Sequence, residues 1–194
     1  MPQVIAISGS PSTTSKSANI LALATDLLER RGIASATFSV RDIPAVDLLH
    51  ARFDSPAVRQ LVTHIERGQA VIVASPVYKA AYPGVLKALL DLLPQKILAH
   101  KTVLPVVTGG SPAHLLAIDY AFKPVFGALG ATRLLNGVYI TDDQVLQTEA
   151  GHRPAATLAG EAQERLERGL DELAGSLLGV RPRHDGLGDA ACAA

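Results

Sequence analysis

Short, continuous apolar runs alternate along this chain with longer stretches in which apolar residues return every three or four positions. The runs at 4–7, 35–40, 70–74, 102–107 and 132–140 predict strands. The intervening stretches predict helices over about 17–31, 55–67, 83–93 and 113–129, with a last helix near 158–178. Strands that are apolar throughout, instead of at every second position, belong in a parallel sheet covered on both faces. The helices carry matching stripes. Ile20, Leu23, Ala24, Leu27 and Leu28 lie on one face of the first, and Gly32 ends it. In the last, Ala162, Leu166, Leu170, Leu173 and Leu177 lie opposite Glu161, Glu164, Glu167 and Arg168.

Five strands alternating with five helices predict an α/β, three-layer sandwich in one domain over residues 1–179. The Pro-, Gly- and Ala-rich stretch 180–194 is expected to be a disordered tail. Doubly wound sheets bind ligands at the carboxyl ends of the strands, where the winding reverses. The first strand-to-helix turn lacks the G-x-G-x-x-G dinucleotide fingerprint. It resembles the phosphate loop of flavodoxin-like proteins, so the expected order of the five-stranded parallel sheet is 2-1-3-4-5.

That first turn, loop 8–17, holds most of the candidate chemistry. Seven of its ten residues are Ser or Thr, and Lys16 and Ser17 open the following helix. Helix N-terminal N–H groups carry partial positive charge, and hydroxyls rotate to donate to phosphate oxygens. Ser8, Ser10, Ser15, Lys16 and Ser17 are therefore the candidate anion ligands. A Walker A loop is excluded: Gly9 lies one position too far from Lys16, and Ser15 stands where that motif needs glycine. The third strand also ends in Ala74-Ser75, with no aspartate to hold magnesium.

Two further loops open on the same edge of such a sheet. Pro76, Val77, Tyr78 and Lys79 follow strand three; Thr108, Gly109, Gly110 and Ser111 follow strand four. Together the three loops suit a flavin mononucleotide (FMN). Its phosphate needs the donors of the first loop, and its flat ring needs a packing partner such as Tyr78 and a close backbone such as Gly109-Gly110. Taken singly, Tyr78 and Tyr82 also read as ordinary loop packing, Gly109-Gly110 as a turn-forming pair, and Lys79 as a solvated loop lysine.

Composition narrows the partners. Net charge is zero and no Lys/Arg run exceeds two residues, which disfavours nucleic acid and anionic membrane surfaces. The lone Cys192 allows no disulfide within the chain. No basic-then-apolar leader opens the sequence and no apolar run approaches about 18 residues, so the expectation is a cytoplasmic protein. The six histidines show no metal-ligand spacing, and no metal is expected. His114 reads as a polar residue at a helix start.

Several blocks, in order, resemble the NADPH-dependent FMN reductase family: Gly9-Ser10-Pro11 with its following serines, Pro76-Val77-Tyr78-Lys79-Ala80-Ala81-Tyr82, and Leu104-Pro105 followed by Thr108-Gly109-Gly110. More narrowly, Ala51-Arg52-Phe53-Asp54-Ser55-Pro56-Ala57 and His114-Leu115-Leu116-Ala117-Ile118-Asp119-Tyr120-Ala121 resemble the FMN reductases of two-component alkanesulfonate monooxygenase systems. The resemblance implies hydride transfer from NADPH or NADH to a substrate-like FMN. The reduced flavin would then pass to a separate flavin-dependent monooxygenase. No acid–base dyad is required, and none is assigned. Alternatives left open are an FMN-retaining reductase of quinones, azo dyes or metal ions, and a flavodoxin-type electron carrier.

Helix 113–129 is anomalous in its own right. It is apolar on nearly every side, beyond what one buried stripe needs, so it is expected to pack on another subunit as well as on its own sheet. Pro124 cannot donate to the carbonyl of Tyr120, so the helix should kink or widen there. The resemblance implies a π-helix at this tyrosine in a homotetramer interface, with Tyr120 modulating flavin transfer.

Overall fold

The computed structural model describes residues 3–147 and 156–177. The expected tail 180–194, the domain end at 179, and Cys192, His152 and His184 lie outside the described residues. Five parallel strand positions run in the order β2-β1-β3-β4-β5, as expected. The strands are β1 (Val4–Ser8), β2 (Ser35–Ser39), β3 (Ala70–Pro76) and β4 (Thr102–Gly109), with the fifth position filled in two pieces, β5 (Arg133–Leu134) and β6 (Val138–Thr141). Both pieces pair in parallel with β4.

The side chains of the central strands alternate between two cores. Ile5, Ile7, Val71, Val73, Val103 and Val107 face one layer. That layer is built from α2 (Ala45–Leu49), α3 (Pro56–Arg67), α4 (Gly84–Asp91) and α5 (Lys123–Ala128). Val4, Ala6, Ile72, Leu104 and Val106 face α1 (Lys16–Arg30) and α6 (Gly160–Leu177). Burial on both faces is why these strands read as unbroken apolar runs. The two predicted stripes are seated as expected: Ile20, Leu23, Ala24 and Leu28 of α1, and Ala162, Leu166, Leu170 and Leu173 of α6, are all buried.

Three departures from the expected elements have physical causes. The single strand expected over 132–140 is split at 135–137. The carbonyl of Val103 accepts from the Leu135 N–H, and parallel alternation turns Pro105 to the same side. Pro105 has no N–H to offer, and the fifth strand breaks opposite it.

The helix expected from 113 to 129 is composite, and it widens at Tyr120 as expected. A 3-10 turn at Pro112–His114 leads to a π-helical stretch at Ile118–Phe122 and then to α5. The Lys123 N–H bonds the carbonyl of Ile118, one residue further back than in an α-helix. This widening occurs where Pro124 leaves the Tyr120 carbonyl without its α-helical donor.

The last helix begins at Gly160, not near 158. Leu158 instead belongs to β8 (Ala156–Leu158), which pairs antiparallel with β7 (Val145–Gln147) in a small second sheet. No helix among the described residues is long and apolar enough to cross a membrane.

Candidate functional site

A cleft of about 480 Å³ opens at the carboxyl edge of the sheet, lined by Ser10, Ser12, Thr14, Ser15, Lys16, Pro76, Tyr78, Thr108 and Asp142. Six of the residues singled out in the sequence therefore converge there: Ser10, Ser15, Lys16, Pro76, Tyr78 and Thr108. The backbone ties the contributing loops together. The Gly9 N–H donates to the Ala74 carbonyl at 2.7 Å, and the Val77 N–H to the Thr108 carbonyl at 2.7 Å.

The first loop is organised by its own hydroxyls. Ser10 Oγ accepts from the Ser12 N–H at 3.2 Å, and Ser12 Oγ accepts from the Thr14 N–H at 3.2 Å. Ser15 is the N-cap of α1, its Oγ accepting from the Ala18 N–H at 3.3 Å and lying 2.9 Å from the buried Ser17 Oγ. Such side-chain-to-backbone bonds hold a loop in turns that a helix or strand would forbid. They place Lys16 in the first turn of a fifteen-residue helix, beside the cleft.

The donor set suits a phosphate monoester: four hydroxyls of the first loop, one ammonium and a helix N-terminus around one cleft. One member does not fit. Asp142 brings a carboxylate to the same space, and Lys16 Nζ donates to the Asp142 carbonyl at 2.9 Å while its carboxylate lies 3.8 Å away.

The other expected ligands do not line this cleft. Ser8 ends β1, and both it and Ser17 are buried. Val77 is half-buried. Lys79 is exposed at the tip of a tight turn in which Tyr78 and Ala81 exchange both backbone hydrogen bonds. Lys79 and Ala80 both sit at positive φ, 50° and 64°, the conformation of a two-residue hairpin turn that glycine or asparagine usually supplies. The turn holds Tyr78, 47% exposed, at the rim of the cleft.

Gly110 is exposed and Ser111 half-buried, both outside the lining. A Cβ on Gly109 would collide with the Tyr139 hydroxyl, so the space freed at this glycine is filled by Tyr139. That hydroxyl donates to the Ser111 carbonyl at 2.6 Å. Burial raises the Tyr139 phenol above its ordinary value, and the Asp142 carboxylate adds to the effect.

Sequence reasoning missed Ser12, Thr14 and Asp142. The first two belong to the same hydroxyl run and carried the same signal as their neighbours. Asp142 follows the fifth strand, and every loop after a strand opens on this edge of a parallel sheet.

Tyr120 is not part of the cleft lining. It projects from the π-helical stretch with 80% of its surface exposed, beside Leu115 and Leu116, which are also exposed. Phe122 of the same stretch points inward and meets Tyr82 edge-on, ring centres 5.2 Å apart. His114, at the end of the preceding 3-10 turn, is exposed.

Comparison with known proteins gives a consistent set of relatives. Residues 2–145 match the family described as NADPH-dependent FMN reductase. An "FMN reductase (NADPH)" of Pseudomonas putida KT2440 is 50% identical over 168 residues, covering 87% of this chain and 84% of its own length. One of the same name from Escherichia coli K12 is 44% identical over 169 residues, covering 87% of this chain and 86% of its own. Among solved structures, the apo form of an NADH:FMN oxidoreductase, EMOB, superposes with a TM-score of 0.78 at 31% identity. It covers 95% of this chain and 92% of its own.

Proposed function

The chain belongs to the NADPH-dependent FMN reductase family, and from that premise we propose how its residues serve the reaction and what it supplies. It is an NAD(P)H-dependent FMN reductase acting on FMN and a nicotinamide nucleotide. FMN supplies the ring that accepts a hydride, at N5, from the nicotinamide C4. The chain's own part is to bind and orient. Ser10, Ser12, Thr14, Ser15 and Lys16 hold the phosphate at the N-terminus of α1. Pro76, Tyr78 and Thr108 border the ring end of the same cleft, with the Tyr78–Ala81 turn fixing where Tyr78 stands. Val77, Lys79, Gly109, Gly110 and Ser111 flank these residues and position them. Ser8 and Ser17 support the loop from below, and no side chain is assigned proton transfer.

The observation that carries this reading is the gathering of hydroxyls, an ammonium and a tyrosine from three separate loops around one cleft. In the wider reading the enzyme works in the cytoplasm as a homotetramer joined through helix 113–129. There Tyr120 influences flavin transfer, and the reduced flavin passes to a flavin-dependent monooxygenase of the alkanesulfonate type. The exposed Leu115, Leu116 and Tyr120 support the assembly. The resemblance of the segments at 51–57 and 114–121 supports the partner.

The test is oxidation of NADPH or NADH by the purified protein at increasing free FMN. Saturable, flavin-dependent oxidation with sequential kinetics is expected. No flavin-dependent oxidation with either nucleotide would remove the reading, and ping-pong turnover with a copurifying flavin would replace it with an FMN-retaining reductase.

A further inference from the structure

We infer that Asp142 competes with the flavin phosphate for Lys16 and thereby sets how weakly this protein holds FMN. The inference rests on the reading of loop 8–17 as the phosphate site. Lys16 is the one ammonium lining the cleft, and it is already engaged. Its Nζ donates to the Asp142 carbonyl at 2.9 Å, with the carboxylate of the same residue 3.8 Å away. A carboxylate only accepts, so it offers a phosphate nothing and repels its charge.

The placement is built into the fold. Asp142 opens a 3-10 turn, Asp142–Gln144, directly after β6. Gln144 Oε1 accepts from the Thr141 N–H at 3.1 Å and from Arg165 of α6 at 2.9 Å, and the Gln144 carbonyl accepts from the Ala159 N–H at 3.0 Å. The turn is therefore tied at both ends, and an arriving phosphate meets an acid carried on a fixed backbone. To bind, it must draw Lys16 away from Asp142 or share it. An enzyme that treats FMN as a substrate gains from such a competitor, because the flavin must leave after each turnover.

The experiment measures dissociation constants by quenching of flavin fluorescence, for FMN and for riboflavin, which lacks the phosphate. The proteins are the wild type, D142A, D142N, K16M and the double variant K16M/D142A. K16M should weaken FMN and leave riboflavin unchanged. D142A should tighten FMN by about three- to fivefold, the scale of one partly exposed charge pair, and leave riboflavin unchanged. D142N keeps the side-chain volume in the turn and should follow D142A. In the K16M background the gain should shrink to the small part that direct repulsion of the phosphate contributes, because the competition is for Lys16.

No tightening in D142A or D142N, an equal gain for riboflavin, or a gain undiminished in K16M/D142A would each overturn the inference. If FMN still binds better than riboflavin and K16M still weakens it, only the role of Asp142 falls. If the wild type binds the two flavins alike and K16M changes neither, the phosphate reading falls with it.

Discussion

Loop 8–17 and the segment from Leu115 to Phe122 both follow a buried parallel strand at the same edge of the sheet, yet they dispose of their side chains in opposite ways. The loop turns its hydroxyls onto its own backbone: Ser10 on Ser12, Ser12 on Thr14, Ser15 on Ala18. Among the described residues no buried side-chain polar atom lacks a partner. The segment does the reverse with its apolar groups. Ile118 and Phe122 go into the core, while Leu115, Leu116 and Tyr120 face outward. A polar loop satisfied within one protomer can exchange an internal bond for a ligand at small cost, because each group keeps a partner. An exposed apolar cluster has no such exchange available and is relieved only by cover. The first arrangement suits reversible binding and the second suits assembly, and the π-helical widening turns Tyr120 to the outer side.

The largest effect should come from charging the apolar side of this pair. Leu116→Asp is expected to dissociate the proposed tetramer, read by sedimentation velocity, while the melting of the isolated protomer barely changes, since Leu116 is 58% exposed. An assembly unaffected by this change would mean that the segment serves some other purpose than subunit contact.

Next in size is Gly109→Ala, between the two regions. The new Cβ would collide with the Tyr139 hydroxyl and press on the ring carbon that bears it. Overpacking of this kind costs about 1–3 kcal/mol, measurable by urea denaturation. Adding Tyr139→Phe should recover much of the loss, because it removes the clashing atom. A double variant as unstable as Gly109→Ala would place the strain elsewhere.

On the polar side, Ser15→Ala removes the cap of α1 and strands the buried Ser17 hydroxyl. About 1–2 kcal/mol of stability should go, with FMN affinity falling in parallel. Unchanged affinity would separate the loop's architecture from its binding role.

What could be read from the sequence divides along the same line between local and non-local causes. The central strands were legible because burial on both faces leaves an unbroken apolar run. The widening near Tyr120 was legible because Pro124 acts on a carbonyl only four residues away. The split in the fifth strand was not, although Pro105 stood in plain view: its missing N–H matters only once the sheet order puts residues 135–137 beside it. The β7–β8 pair was missed because three-residue strands are too short to show a period. In the cleft, Ser10, Ser15, Lys16, Pro76, Tyr78 and Thr108 announced themselves by residue type in loops after strands. Asp142 did not, because an acid beside a phosphate loop contradicts the chemistry one looks for, and it arrives from 126 residues away.

The smallest effect concerns the link between the two regions. Tyr139 lies on β6, just before the turn that carries Asp142, and its hydroxyl holds the carbonyl of Ser111, the cap of the 3-10 turn that leads into the apolar segment. Tyr139→Phe should cost about 1 kcal/mol at neutral pH, the usual worth of one such bond. The pH dependence identifies the cause. Burial, and then the Asp142 carboxylate, raise the folded phenol above its ordinary value, so the folded state keeps this proton where the unfolded chain has lost it. The stabilisation is therefore whole below about pH 10 and is lost as pH rises through the folded value. Phenylalanine has no proton to lose. The gap in stability between wild type and variant should thus narrow from about pH 10 upward, followed by urea denaturation across the alkaline range. No gap at neutral pH would show that the ring's packing, and not its hydroxyl, ties the segment to the sheet.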